Sequence, residues 1–487
     1  MASYAREEVP MVAVSVENGS DFNKNGSAAG AGPREEGAKL MQYVAGFLAT
    51  MGALAAGTVL AWTAPSLPLL AAPDSFLPVG PDEGSWIGSL MPIGACLGAV
   101  PAGALTDRLG RKTTLLLLSV PFVVSWLLIL LASNVPMLYA ARLLGGLATG
   151  ATSVAAPMYA AEIAEPSIRG TLGTFFQLQV TIGILVTFIV GGFASYLVLA
   201  SVSLAVPIVW FAAVFFLPET PVFLLKRQRP ADAERALRRL RGPEYRGVKA
   251  ELQEMQRALD QAGRNAASFS ELFSSRAVIK ALVICLGLMI FQQVSGINAV
   301  MFYATKIFEA AGSTLDPAVA TIIVGVVQVV ATGVASVLVE LAGRRVLLLG
   351  SAAVMSLAHI VLGVYFHMSS SGADVASLGW LPLLCVVLFV VVFSLAFGPI
   401  PWMMAGELFT DEVKAPASTI AAALNWIMAF AVTKVFNTLM ESVGTAGTFW
   451  TFGGCCVAAT AFVFALVFET KGKTPAQVQD ILNGKRH

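Results

Sequence analysis

Twelve long apolar runs are the feature that most constrains what this chain can fold into. Runs of about 20 apolar residues can cross a hydrocarbon core of about 30 Å as α-helices. Only 13% of the 487 residues are charged, whereas soluble domains carry roughly 25%. The sequence therefore predicts an all-α polytopic membrane protein, with spans at approximately residues 40 to 63, 86 to 105, 113 to 132, 137 to 160, 171 to 192, 194 to 217, 278 to 303, 318 to 339, 346 to 366, 380 to 405, 416 to 438 and 447 to 468.

The basic residues predict the orientation. An even number of spans puts both termini on one side, and 28 of the 31 Lys and Arg residues fall there. The positive-inside rule makes that side cytosolic. The exceptions are Arg142 and Lys434 within spans and Lys306 in an outer loop. The sequons at Asn18 and Asn25 fall in the tail predicted to be cytosolic, so we expect no glycans on them.

A short charged motif occurs twice. The stretch Gly103-Ala-Leu-Thr-Asp-Arg-Leu-Gly-Arg-Lys112 joins two spans in the first half, and Val339-Glu-Leu-Ala-Gly-Arg-Arg345 joins two spans in the second. Topology signals alone would explain the cations but not the acid and glycine at the same spacing. Further pairs repeat between the halves: Glu162 and Arg169 correspond to Glu407 and Lys414, and Glu219-Thr220 corresponds to Glu469-Thr470. We therefore interpret the chain as two related units of six spans.

One polar insertion separates the two units, and its apolar residues have amphipathic helical spacing. Such a basic segment either lies on anionic lipid or packs beneath the bundles. Ser268 to Glu271 fits a capping box for a further short helix. The predicted organisation is a disordered cytosolic N-tail at 1–39, an N-terminal six-helix bundle at 40–217, a cytosolic helical linker at 218–277, a C-terminal six-helix bundle at 278–469 and a cytosolic C-tail at 470–487.

These motifs resemble those of the sugar porter family of the major facilitator superfamily, from about residue 40 to 475. Facilitated glucose transporters of the intracellular type and trehalose transporters are the most similar members, and they share the Gly84-Ser85-Trp86 start of span two. The resemblance implies a major facilitator fold with a substrate site between the halves. Its carriers are Asp107-Arg-Leu-Gly-Arg-Lys112, Arg142, Pro157-Met-Tyr-Ala-Ala-Glu162, Arg169-Gly170, Pro218-Glu-Thr-Pro221, Gln292-Gln-Val-Ser-Gly-Ile-Asn298, Gly398-Pro-Ile-Pro-Trp402, Asn425-Trp426 and Glu469-Thr-Lys-Gly472.

Three motifs depart from the family pattern. Glu340 stands where the family usually has Asp, and Leu341 stands where it has Arg. Phe468 replaces the usual proline before Glu469, so we expect a looser closing turn in the second half. Met289-Ile-Phe291 replaces the Gln-Leu-Ser of glucose-selective members, which leaves the choice among glucose, fructose, other hexoses and trehalose open.

A neutral sugar needs amide side chains that both donate and accept hydrogen bonds, together with flat apolar surfaces. Span seven supplies Gln292, Gln293 and Asn298, and span five supplies Gln177. On an ideal helix Gln293 and Asn298 point roughly 140° apart, so both reach one ligand only if Gly296 lets the helix bend or the ligand is wide. The resemblance implies the bend and adds Gln328, Trp402 and Asn425. The alternative is that these amides only join helix to helix.

The charged motifs suggest a latch that controls alternating access. Exposed ion pairs are individually weak, so only a network at the membrane edge can bias the cycle; the alternative is simple helix capping. The predicted latch residues are Asp107, Arg108, Arg111, Glu162, Arg169, Glu219, Glu340, Arg344, Arg345, Glu407, Lys414 and Glu469.

The sequence predicts a facilitative uniporter for a hexose or trehalose. A proton symporter is the first alternative, but residues 40–63 contain no charged residue to carry a proton. A non-transporting sugar sensor is the second. An enzyme is not expected, because His359, His367 and His487 are far apart and have no Cys or Asp at ligand spacing.

We predict no cofactor, no metal and no catalytic residue. The expected partners are a small neutral sugar and the bilayer, with no nucleic acid, since the net charge is only +1. A monomer is expected to be the working unit. The N-tail lacks paired leucines of the endosomal sorting type, which favours the plasma membrane over an endosomal or lysosomal membrane.

Overall fold

The computed structural model describes residues 37–264, 275–312, 315–473 and 475–484. The predicted disordered tail up to residue 36, with its two sequons, and the capping box at Ser268 to Glu271 lie outside the described residues. The helices are α1 Lys39–Ala61, α2 Thr63–Ala71, α3 Pro81–Leu109, α4 Arg111–Leu130, α5 Val135–Ile163, α6 Arg169–Phe193, α7 Tyr196–Phe215, α8 Pro221–Lys226, α9 Pro230–Arg241, α10 Val248–Arg264, α11 Arg276–Val294, α12 Ile297–Phe302, α13 Ala304–Ala311, α14 Pro317–Ala342, α15 Arg344–Ser370, α16 Leu381–Val392, α17 Ile400–Glu407, α18 Asp411–Leu466 and α19 Pro475–Leu482.

The predicted twelve crossings can be traced in these helices. Within the described residues, 10 helical stretches are long and apolar enough to span a membrane. One of them, α18, bends at Gly444, where φ is 74° and ψ is 168°, and therefore crosses twice. The remaining crossing is α5, whose 29 residues are less apolar because they include Arg142 and many Gly, Ala and Thr residues. The all-α, twelve-helix prediction is confirmed.

Small residues let the membrane helices pack closely. Helices α3 and α5 make the most extensive contact in the chain. A Cβ atom at Gly150 of α5 would lie 1.9 Å from the carbonyl oxygen of Ala95 in α3. Lipid does not drive helices together as water does, so close packing of this kind supplies much of the association energy. The first seven helices pack mainly on one another, and the two halves meet where α3 contacts α18 and where α6 contacts α14.

The polar linker forms α8, α9 and α10, which share a small apolar core of their own. Arg241 at the end of α9 is buried and donates to the carbonyl oxygen of Ile163 at 2.8 Å. Its guanidinium also lies 3.1 Å from Glu165 and 2.6 Å from Glu251. The linker therefore packs beneath the N-terminal bundle.

The bundle has two distinct ends. The linker and the turns at Gly110 and Gly343 lie at one end, which we call the charged face. The opposite face contains the start of α3. There the Ser85 hydroxyl and Lys434 Nζ lie 3.2 Å apart, and the Lys434 ammonium lies 4.3 Å from the Trp86 ring centroid. Among the described residues, the hydrogen bonds that join the two halves all connect α3 to α18.

Candidate functional site

The seventh crossing is interrupted where the family resemblance implied a bend. Helix α11 ends at Val294 and α12 begins at Ile297. Gly296 between them has φ +88°, a left-handed conformation that side-chain-bearing residues rarely adopt. The break turns Asn298 towards Gln293, and the Asn298 amide donates to Gln293 Oε1 at 2.6 Å. Two side chains that an ideal helix would point apart are therefore in direct contact.

Two further amides complete a network that we call the amide cluster, formed by Gln292, Gln293, Asn298 and Asn425. Gln293 Nε2 donates to Asn425 Oδ1 at 3.1 Å, and Asn425 Nδ2 donates to Gln292 Oε1 at 2.7 Å. Gln292, Gln293 and Asn425 are buried, whereas Asn298 is half-buried. The cluster joins span seven to span eleven, although these residues lie more than one hundred positions apart in sequence.

The tenth crossing supplies backbone carbonyls to the same cluster. It contains a π-helical segment, Phe393–Phe397, just before Gly398 and Pro399. Proline has no N–H, so a helix broken here leaves carbonyl oxygens without their usual donors. Gln292 Nε2 donates to the carbonyl oxygens of Phe397 at 2.6 Å and Gly398 at 3.0 Å. The predicted helix break at Gly398-Pro399-Ile-Pro401 thus lies beside the amide cluster.

The other predicted binding residues lie outside this hydrogen-bonded network. Gln177 is exposed on α6, and Trp402 in α17 is 42% exposed. Gln328 is buried in α14, and its Oε1 has no partner among the described residues. Gln179 donates to the Phe47 carbonyl at 3.0 Å and to Thr50, so it joins α6 to α1. For Gln179, the hydrogen bonds thus agree with the alternative to sugar binding, in which an intramembrane amide only joins helix to helix.

Arg142 has a structural position within the N-terminal bundle. It is buried and donates to the carbonyl oxygens of Val59 at 2.6 Å and Ile87 at 3.0 Å. Its guanidinium carbon also lies 5.5 Å from the Trp62 ring centroid. Arg142 thereby connects α5 to α1, to α3 and to Trp62, which directly follows α1.

The first charged motif forms the Arg111 cluster, which consists of Asp107, Arg111, Glu162, Glu219 and Thr220. Arg111 lies between two carboxylates, with Glu162 at 2.7 Å and Asp107 at 3.1 Å. Glu219 accepts the backbone N–H of Arg111 at 3.1 Å and so caps the start of α4. The Thr220 hydroxyl donates to Glu162 Oε2 at 2.6 Å. One cluster therefore ties together α3, α4, α5 and the segment before α8.

The second motif forms the Arg344 cluster, which consists of Glu340, Arg344, Glu407, Glu469 and Thr470. Arg344 lies 2.8 Å from Glu340 and 3.0 Å from Glu407. Glu469 accepts the backbone N–H of Arg344 at 2.9 Å, and Thr470 donates to Glu407 Oε2 at 2.6 Å. Glu469 makes this cap at a distance as short as that of its counterpart, and the looser closing turn after Phe468 stays a prediction.

Four predicted latch residues lie outside the two clusters. Arg108, Arg169 and Lys414 are exposed and form no ion pair with a described residue. Arg345 donates instead to the Phe464 carbonyl at 2.8 Å. Thr220 and Thr470, in contrast, were not predicted as site residues. Their repetition after Glu219 and Glu469 in both halves was the signal that could have identified them.

The two capping glutamates differ in electrostatics. Burial raises the pKa of Glu219, although the N–H groups of Thr220, Lys112 and Arg111 oppose this effect. Burial also acts to raise the pKa of Glu469, but backbone N–H groups, including those of Lys471 and Arg344, outweigh it and lower the pKa overall. With the same hydrogen-bonding pattern, the pKa of Glu219 is raised, which disfavours its ionised form, whereas the pKa of Glu469 is lowered, which favours its ionised form.

Comparison with known proteins agrees with this architecture. Residues 79–482 match the family model described as sugar (and other) transporter. A facilitated trehalose transporter of Drosophila yakuba is 42% identical over 91% of this chain and 52% of its own length. One of Anopheles gambiae is 40% identical over 91% of this chain and 56% of its own length. The chain therefore spans about half the length of these relatives.

Solved structures show the same fold. The inward-open conformation of the xylose transporter of E. coli gives a TM-score of 0.76 at 25% identity, covering 90% of this chain and 99% of that one. Its partially occluded inward-open conformation gives 0.74 at 26% identity, covering 89% and 100%. Because the family model matches most of the sequence, from the start of α3 to the end of α19, this chain belongs to the sugar (and other) transporter family.

Proposed function

We propose that this protein carries a hexose or trehalose across a membrane by alternating access, as a facilitative uniporter. The observation that carries the proposal is the amide cluster, where breaks in two crossing helices bring four neutral amides and freed backbone carbonyls together. Amides can exchange hydrogen bonds among themselves for bonds to sugar hydroxyls without the desolvation cost of a charge. The names of the similar trehalose transporters agree with such a substrate.

Uptake into proteoliposomes tests the binding site. With labelled glucose and labelled trehalose as probes, Gln293→Ala and Asn298→Ala should each raise the half-saturation concentration about 2- to 12-fold, because a hydrogen bond contributes about 0.5 to 1.5 kcal/mol net. Gln179→Ala is the matched control, since it removes a buried Gln amide outside the cluster. Unchanged half-saturation in both cluster variants would refute the site.

The residues proposed to complete the sugar site are Gln177, Gln328 and Trp402. Gln328 offers a buried oxygen without a partner, and Trp402 offers an exposed aromatic surface for the C–H face of a sugar. Gln328→Ala and Trp402→Ala should each raise half-saturation in the same uptake assay. Equal half-saturation for both variants and the wild type would remove these two residues from the site.

Uniport is preferred over proton symport because α1 contains no acidic residue. Solved relatives include a proton:xylose symporter, so symport is the second candidate. A proton gradient imposed across the proteoliposomes decides between them. We expect labelled sugar to equalise across the membrane. Accumulation that a protonophore abolishes would establish symport, and absence of flux with either sugar would favour a sensor.

We further propose that the two charged clusters form the latch, with the charged face cytosolic. Each cluster joins helices of one half, and we propose that it holds them in the arrangement that lets the halves close at this face. The resting population should therefore shift towards the state open at the charged face in Arg111→Ala and Glu407→Gln. Labelling of a cysteine engineered at the charged face should then become faster. Arg108, Arg169, Arg345 and Lys414 stay predicted members of this latch. Constant labelling in both variants would contradict the latch.

We also propose residence in the plasma membrane as a monomer with both termini cytosolic. An epitope at either end should bind antibody only after the cells are permeabilised. A single epitope-tagged species at the mass of one chain, measured in detergent by light scattering, is the expected oligomeric state. Antibody binding to intact cells would overturn the orientation.

A further inference from the structure

His359 is a buried titratable side chain that the proposed transport mechanism does not use. It lies in the middle of α15 and is 2% exposed. Its Nε2 is 3.0 Å from the carbonyl oxygen of Ser295. Because a carbonyl oxygen can only accept, Nε2 carries the hydrogen and donates it.

Ser295 directly precedes the break in the seventh crossing. The last carbonyls of a helix lose their regular N–H donors, so the end of α11 needs another partner when it is buried. His359 provides that donor from a neighbouring helix. The Ser295 hydroxyl bonds back to the Gln292 carbonyl at 2.7 Å, so both polar groups of Ser295 are satisfied.

The imidazole is held in place by aromatic rings. Phe389 lies 4.4 Å away between ring centroids, Phe449 lies 5.8 Å away and Phe452 lies 5.9 Å away. The Phe452 ring also packs on Gly296, where an added Cβ would lie 2.7 Å from its Cδ2. The ring that supports His359 is therefore the same ring that fills the space beside the break.

We infer that His359 is a positioning residue for sugar binding, because its Nε2–H fixes the Ser295 carbonyl and so holds the bend that brings Asn298 against Gln293. The inference rests on the proposed function of the amide cluster. His359 touches neither amide directly. Its effect passes through Ser295 and Gly296 to the orientation of α12, which carries Asn298.

Two substitutions separate the hydrogen bond from the packing. His359→Phe keeps an aromatic ring among the phenylalanines but removes the donor. His359→Gln places an amide N–H close to the position of Nε2 and keeps the donor. In the glucose and trehalose uptake assay, we expect His359→Phe to raise half-saturation about three- to tenfold with an unchanged maximal rate per folded protein. His359→Gln should stay within about twofold of the wild type.

A second measurement reads the bend without transport. Hydrogen–deuterium exchange of the peptide that covers residues 295–300 should become faster in His359→Phe and stay at the wild-type rate in His359→Gln. Ser356→Ala is the control, since it removes another α15 hydrogen bond, to the Gly453 carbonyl at 3.1 Å, that does not reach the break.

The outcomes of the two measurements are distinguishable. Equal behaviour of the Phe and Gln variants in exchange would overturn the positioning role. Faster exchange in His359→Phe together with unchanged half-saturation would also overturn it. Absence of uptake by the wild type, with exchange as expected, would refute the proposed transport function while leaving the role of His359 at the bend supported.

Discussion

The Arg111 and Arg344 clusters repeat one arrangement in two settings. In each, an arginine lies between two carboxylates and a glutamate caps the next helix. A threonine hydroxyl donates to the carboxylate that is farther from the arginine in sequence, Glu162 or Glu407. The Glu162 side chain is 15% exposed, whereas that of Glu407 is 29% exposed. Equivalent sequence motifs thus produce equivalent hydrogen bonds but unequal burial.

The chain that follows each cluster explains the difference. After Thr220, helix α8 places Phe223 with its ring centroid 5.5 Å from the Arg111 guanidinium and Lys226 at 3.0 Å from Asp107. After Thr470, the chain turns through Lys471 and Gly472. The linker therefore covers the first cluster. Burial strengthens its ion pairs and makes any unpaired charge there more costly.

The largest expected effect comes from removing the two arginines. Arg111→Ala should lower the free energy of unfolding by about 3 to 5 kcal/mol, since it leaves the mostly buried Glu162 carboxylate without its charge partner, whereas Asp107 still pairs with Lys226. Arg344→Ala should cost less, because Glu407 and Glu340 are more exposed. Thermal unfolding in detergent measures both. Arg169→Ala is the control, and an equal cost at the two sites would contradict the comparison.

The capping glutamates should respond to pH in opposite directions. The lowered pKa of Glu469 gives stabilisation above its ordinary value of 4.5 that is lost as the pH falls through the folded value. The raised pKa of Glu219 gives stabilisation below 4.5 that is lost as the pH rises through its folded value.

Replacing each glutamate with Gln tests this difference. A hydrogen bond to a charged group contributes about 1.5 to 3 kcal/mol. Glu469→Gln should therefore lower the unfolding temperature more at pH 7 than at pH 4. Glu219→Gln should cost less than Glu469→Gln at pH 7. The same pH dependence for both variants would show that the two caps are electrostatically equivalent.

The threonines show where the comparison stops being symmetric. Thr220→Val and Thr470→Val each remove one hydroxyl that donates to a carboxylate at 2.6 Å. The Thr220 hydroxyl also accepts the N–H of Phe223 at 3.3 Å and so caps α8. We expect Thr470→Val to cost about 1 kcal/mol in thermal unfolding and Thr220→Val to cost more, because it loses the cap as well. Equal costs at the two threonines would show that the cap contributes nothing.

The smallest effects should come from the exposed acids. Glu340 is 63% exposed and pairs with Arg344, so Glu340→Gln should cost less than about 1 kcal/mol. Asp107 is 47% exposed and pairs with both Arg111 and Lys226, so Asp107→Asn should cost slightly more. Unfolding at low and high salt checks this, because screening should reduce both costs. If the free-energy costs of the two substitutions do not change with salt, these two acids do not stabilise the protein through surface ion pairs.

The polar residues show how far sequence reasoning extends. An unbroken helix would hold Gln293 and Asn298 apart, so the sequence required either a bend at Gly296 or a wide ligand, and the family resemblance implied the bend that is observed. Arg169 and Lys414 were placed in the latch from their repeated spacing. The structure puts Arg169 at the exposed start of α6, after α5 has ended at Ile163. Repetition of charges indicated two related halves, but it could not tell which charges form the buried clusters.

By itself, the sequence determined the fold class, the twelve crossings and the twofold repeat, and it marked Gly296 as a place where span seven could bend. These follow from length, apolar periodicity and glycine, which act over a few neighbouring residues. The tertiary structure alone decided that Asn425 meets Gln293, that the linker covers Arg111, and that His359 supports the bend through Ser295. Each of these contacts joins residues far apart in sequence, and no local pattern specifies which helices become neighbours.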